Sequence, residues 1–183
     1  GLPLKLVADG TETLTIGFAE NGMYDASGTA AARTQKINSI KLFDLSAPII
    51  TESKLDSDNS KVTVRFSVPV FADAKASLTL EPDDFKLTLV GGTATLKSAT
   101  PSSIDSSENG KRYQLGLDVI GIPDGREVLT INPVDNNIYD SAANPANKVQ
   151  DNNSMNLFDK QPPTITAVSL SKANDTLFVT LSE

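Results

Sequence analysis

Residues 136–166 read NNIYDSAANPANKVQDNNSMNLFDKQPPTIT, and residues 21–51 read NGMYDASGTAAARTQKINSIKLFDLSAPIIT. The two stretches lie 115 residues apart and share YD, LFD and a Pro-x-Ile-Thr ending. Extended outward at that offset, residues 1–68 lie on residues 116–183 without a gap. Roughly 25 of the 68 pairs are identical, against about four expected by chance. DGTETLTI (Asp9–Ile16) falls on DGREVLTI (Asp124–Ile131), Tyr24-Asp25 on Tyr139-Asp140, and Leu42–Asp44 on Leu157–Asp159. Pro48, Ile50 and Thr51 fall on Pro163, Ile165 and Thr166. The chain is a tandem repeat.

The phase of the repeat predicts one complete unit over residues 47–160. Residues 1–46 then form the C-terminal part of a preceding unit, and residues 161–183 the first strands of a following one. On this reading the chain is a mature product or a window cut from a longer array. The alternative is a subunit whose open ends are completed by identical chains through strand exchange, as in a filament. In that case the residues corresponding to 69–115 would be missing from the joined unit.

Inside the complete unit, short alternating segments recur between turn residues, the pattern of an antiparallel β-sandwich. Expected strands are Ile49–Leu55, Lys61–Val68, Ser77–Leu80, Phe85–Val90, Thr93–Ser98, Lys111–Val119, Arg126–Pro133 and Ser154–Asp159. Val62, Val64, Phe66 and Val68 share one face, as do Tyr113, Leu115, Leu117 and Val119, because side chains alternate along a strand. Pro69, Pro82, Pro101 and Pro123 mark loops or edges. No stretch has helical periodicity beyond a single turn within residues 70–80.

The segments PIITESKLDSDNSKVTVRFSVPVF, DDFKLTLVGGTATLKSATPSSI, YQLGLDVIGIPDGREVLTI and IYDSAANPA resemble bacterial Ig-like repeats of S-layer proteins and large surface adhesins. The resemblance covers the whole chain and rests most on FSVPV, YDSAANPA and the FD-to-PPTIT junction. YDASGTAA departs from it by lacking an Asn after the Gly. The resemblance implies an all-β fold, an Ig-like antiparallel β-sandwich in tandem array, on a secreted protein at the cell surface.

Composition narrows the chemistry. The 183 residues carry 23 acidic and 16 basic side chains, a formal charge of −7, and neither His, Cys nor Trp. An acidic surface repels phosphate backbones, so nucleic acid is excluded as a partner. Without Cys there is no thiolate metal site or thiol nucleophile, and without His the commonest general base is missing. No apolar run approaches the ~18 residues needed to span a bilayer. Asp83-Asp84 is the nearest thing to a carboxylate pair, and adjacent residues leading into a strand read as solvated turn acids. No catalytic residue is expected.

Calcium suits the Asp and Asn residues better, because hard oxygen ligands are what Ca²⁺ takes. In an Ig-type sandwich the loop before the sixth strand lies at the pole where the chain leaves. The loop between the last two strands lies at the opposite pole. The first junction would gather Asp9 and Asp44 with Asp135 or Asp140. The second would gather Asp124 and Asp159 with Asp56 or Asp58. The competing reading is that Asp-Gly makes turns and that Asp44 and Asp159 cap strand ends. Tyr24 and Tyr139 read as structural, each ring on the core and each hydroxyl on backbone. Asn152 and Asn174 head Asn-x-Ser/Thr sequons. Ser141 and Thr176 follow Asp as in a bacterial O-glycosylation pattern. Unmodified polar loops are the alternative for all four.

The function expected is therefore a non-enzymatic structural module whose partners are the neighbouring repeats. Two alternatives stay open: a glycan- or protein-binding Ig-like module, and an accessory domain of a secreted enzyme.

Overall fold

A computed structural model describes residues 4–183, so the first three residues of the 1–46 segment lie outside it. The strands are β1 (Thr13–Thr15), β2 (Ser39–Lys41), β3 (Ile50–Leu55), β4 (Lys61–Phe66), β5 (Phe85–Val90), β6 (Thr95–Leu96) and β7 (Ile104–Ser107). They continue with β8 (Arg112–Gly116), β9 (Val119–Ile120), β10 (Val128–Pro133), β11 (Ser154–Asn156), β12 (Ile165–Leu170) and β13 (Leu177–Leu181). The fold is an all-β antiparallel sandwich. One sheet runs β3-β4-β8-β7, the other β11-β10-β5, and β6-β9 forms a short ribbon.

Alternation decides what faces inward. Val62, Val64 and Phe66 of β4 are buried against Phe85 and Leu87 of β5, Tyr113 and Leu115 of β8, and Leu129 and Ile131 of β10. Phe66, Phe85 and Tyr113 stack with ring centroids 6.2–6.3 Å apart, at the spacing favoured by offset and edge-on aromatic pairs. Ile50, Ile138 and Leu157 close the ends of the same core.

The first and last segments of this sandwich run side by side. Ile50 N–H donates to Gln150 Oε1 at 2.6 Å, Ser53 Oγ–H donates to the Asn152 carbonyl, and Asn59 exchanges two hydrogen bonds with the Phe158 backbone. Rising residue numbers on one side meet rising numbers on the other, so the two segments are parallel.

The 115-residue offset reappears as geometry. Thr13, Leu14 and Thr15 pair with Lys41, Ile40 and Ser39 in the register in which Val128, Leu129 and Thr130 pair with Asn156, Met155 and Ser154. The Thr15–Ser39 and Thr130–Ser154 hydroxyl pairs both measure 2.8 Å. The β12–β13 hairpin repeats β3–β4 down to its irregularity, which lies between Ile165 and Ala167 in one and between Ile50 and Glu52 in the other. Burial is what differs. Leu177, Val179 and Leu181 are exposed where Val62, Val64 and Phe66 are buried.

Three expectations need correcting. Ser77–Leu80 is not a strand, because the Asp73 carboxylate takes the N–H groups of Ser77 and Leu78 and Ala76 adopts φ +53. Ile104–Ser107 is an edge strand whose polar sequence hid it. Asp84 is buried and caps the short 3₁₀ turn Pro82–Asp84 by accepting Glu81 N–H, rather than lying in solvent.

Candidate functional site

The candidate residues gather at two places 115 residues apart in sequence, here called seams. At the first, Asp9 and Asp44 form an antiparallel bridge. Asp9 Oδ1 accepts Thr11 N–H at 2.9 Å, and hydrogen bonds from the Thr11 hydroxyl and backbone hold the Asp9 carboxyl below its usual range. Gly10 supplies the turn at φ +78, where an added Cβ would sit 3.1 Å from Asp44 Cβ. Asp44 Oδ1 accepts Ser46 N–H at 2.8 Å, and Leu45 N–H donates to the Ala8 carbonyl at 2.8 Å. The Asn144 amide reaches the Asp44 carbonyl at 3.2 Å.

The second seam copies the first. Asp124 Oδ1 accepts Arg126 N–H at 3.0 Å, Asp159 Oδ1 accepts Gln161 N–H at 2.7 Å, and Lys160 N–H donates to the Pro123 carbonyl at 2.9 Å. Gly125, at φ +78, brings the two loops together beside Asp159. Glu183 hydrogen bonds to Asp159, and this contact raises the Glu183 carboxyl above its usual range.

The other expected ligands serve their own loops. Asp140 is buried, with Oδ1 accepting the N–H groups of Ala142 and Asn144 at 2.8 Å and Oδ2 accepting the Asn144 amide at 2.9 Å. Asp58 accepts the Ser60 backbone N–H and hydroxyl, which hold its carboxyl low. Asp56 enters the β3–β4 turn through its backbone, and Asp135 is exposed on the turn before Tyr139. Among the described residues no three His, Cys, Asp or Glu side chains gather into a group that could hold a metal ion. Tyr139 is half-buried and its hydroxyl donates to the Asn136 carbonyl at 2.8 Å. Ser141, Asn152, Asn174 and Thr176 are exposed, and Asn174 sits in the β12–β13 turn at φ +58.

Two further residues, Glu127 and Asn59, organise the second seam. Glu127 is fully buried, yet its carboxylate accepts Thr93 N–H at 2.8 Å, Ala94 N–H at 2.9 Å and Asp124 N–H at 3.2 Å. Burial alone would raise its pKa, but the backbone donors Ala94, Thr93 and Asp124 outweigh that and lower it to about 2. The signal was present, because Asp-Gly-x-Glu stands at the same place in both copies. Asn59 directly follows Asp58 in the β3–β4 turn, and its amide exchanges bonds with the Phe158 backbone at 2.8 and 2.9 Å.

No family model matches the chain. No curated protein matches it either. Among solved structures the chain is similar to a crystal structure of the S-layer protein SbsC, at 21% identity and a TM-score of 0.39 over 68% of this chain. It is also similar to domains 1–6 of that protein (21%, 0.40, 68%) and to its N-terminal part (23%, 0.37, 68%). The matches span 15%, 15% and 26% of those chains.

Proposed function

We propose that the chain is a non-enzymatic structural repeat module of a long extracellular surface protein, of the bacterial Ig-like repeat class. Successive β-sandwiches give it reach, and pinned linkers give it stiffness. One observation carries this reading: the linker bond from Leu45 N–H to the Ala8 carbonyl recurs 115 residues on, from Lys160 N–H to the Pro123 carbonyl. A connection built the same way twice, with a glycine turn and a capping Asp on each side, is designed for repetition. The partners on this reading are neighbouring repeats. Three copies of residues 47–160 joined in tandem test it by small-angle X-ray scattering. The maximum dimension should grow by a fixed increment per copy, and the growth of a flexible string of beads would overturn it.

Calcium at the seams belongs to the same proposal. Its support is the pairing of Asp9 with Asp44, where each carboxylate spends Oδ1 on its own turn. Asp159 and Glu183 also face one another, an arrangement of like charges that a cation relieves. Thermal melts of the chain with calcium and with EDTA decide the matter. A raised midpoint with calcium supports it, and an unchanged midpoint sinks it.

A further inference from the structure

The loop from Asp140 to Asn144 has a counterpart 115 residues earlier, and the two differ in one side chain that reaches outside the loop. In both, the leading Asp closes the turn. Asp140 Oδ1 accepts the N–H groups of Ala142 and Asn144 at 2.8 Å, and Asp25 Oδ1 accepts those of Ser27 and Thr29 at 2.9 Å. The backbone matches as well, with Ala143 at φ +69 where Gly28 stands at φ +81. Position 144 is Asn, however, and position 29 is Thr. The Asn144 amide donates to Asp140 Oδ2 at 2.9 Å and to the Asp44 carbonyl at 3.2 Å, 100 residues back in the chain. A threonine is shorter and offers one hydroxyl donor in place of two amide N–H groups, so it cannot hold both acceptors.

Asp44 lies where the chain enters the sandwich. Its Oδ1 accepts Ser46 N–H at 2.8 Å, while Leu45 N–H and the Ser46 hydroxyl both donate to the Ala8 carbonyl, at 2.8 and 3.2 Å. Among the described residues before Pro48, Ala8 alone is buried. A continuous series of hydrogen bonds thus runs from Ala8 through residues 44–46 to Asn144 and ends on Asp140, which is 2% exposed. Buried and bonded to its own turn, the Asp140 carboxylate cannot swing away, so it aims the Asn144 amide at the incoming chain.

We infer that Asn144 is a joint lock: it fixes the angle between the sandwich and the segment that precedes it. The residue at this position of a unit then decides whether its upstream joint is stiff. Asn clamps the incoming chain, and Thr, as at position 29, leaves it held by the linker alone. The clamp stands on its own contacts, and only its extension to successive units rests on the array reading. Stiffness becomes a property set joint by joint rather than one uniform along the protein.

The test is a distance measurement between two spin labels on the full chain, which has no cysteine of its own. Lys41→Cys puts one label on β2 and Lys86→Cys the other on β5, both at exposed strand positions. Distances are recorded by pulsed electron spin resonance with EDTA present, so that no cation stiffens the joint. With Asn144 intact the distribution should be a single narrow peak. Asn144→Thr should raise the population outside that peak about fivefold, the factor that one lost neutral hydrogen bond supplies. Because Thr29 closes the same turn in the earlier copy, this variant keeps the loop, and the N–H groups of residues 142 and 144 should stay protected from exchange. The inference is overturned if the unsubstituted chain already gives a broad distribution. It is equally overturned if Asn144→Thr leaves the distribution unchanged, or broadens it only with loss of that protection. Scattering by the tandem copies reads a different quantity. Fixed growth per copy with an unchanged distribution removes the lock and keeps the array, whereas an Asn144-dependent distribution with string-of-beads scattering does the reverse.

Discussion

Glu127 shows how much one side chain can decide when it is buried with its partners. Its carboxylate joins the Gly91–Ala94 turn to the Asp124 loop, so loss of the charge leaves three backbone N–H groups sharing one neutral amide oxygen, with an NH2 donor in place of the second acceptor. Glu127→Gln should lower unfolding stability by about 2–3 kcal/mol in urea melts. The pH dependence follows from the sign of the shift. The folded pKa of about 2 lies below the ordinary 4.5, so Glu127 adds stability that is full above about pH 4.5 and fades as pH falls toward 2. The Gln variant should lose that part of the acid sensitivity, read from urea midpoints across the same range. Tyr113 is pushed up to about 12, by burial first and by Asp84 second, so its hydroxyl stays protonated and bonded to the Val70 carbonyl across this range. Gly92→Ala should be at least as damaging as the Gln change, since it strains φ +59 and displaces the carboxylate together.

Elements were legible where alternation was strong. β4, β5, β8 and β10 lie inside the expected segments, because each sets apolar side chains at every second position against a single core. β7 was not legible. Its residues Ile-Asp-Ser-Ser have one apolar side chain, and its place is set by pairing with β8 across the Asn109-Gly110 turn. The seam was half-legible: Asp9, Asp44, Asp124 and Asp159 were found by the repeat, whereas Glu127 and Asn59 act through contacts with loops far along the chain. The two equivalent hairpins make a prediction of their own. β3–β4 and β12–β13 share register and turn, but only β4 is enclosed. Amide exchange should therefore be slow in β4, near the global unfolding limit, and faster by orders of magnitude in β13. Comparable protection in both would refute the assigned difference in packing. Phe66→Ala, at the centre of the aromatic trio, should cost about 3–5 kcal/mol in the same urea melts.

At the scale of the molecule, the described residues enclose one core, running from Ile50 to Leu157, with strand-bearing segments on either side of it. Removing residues 161–183 should leave the main cooperative melting transition in place, with its midpoint shifted by less than about 4 °C, because the exposed hairpin adds little to that core. The parallel run of the first and last segments has a mechanical consequence. Tension applied through the two ends of the sandwich pulls Ile50 and Phe158 in opposite directions along neighbouring segments. The Ile50–Gln150, Ser53–Asn152 and Asn59–Phe158 contacts are then loaded together in shear rather than opened one at a time. Single-molecule pulling should find that Asn59→Ala lowers the rupture force more than a core truncation of equal equilibrium cost. A bond that contributes modestly to the free energy of folding can thus decide how much load the chain withstands.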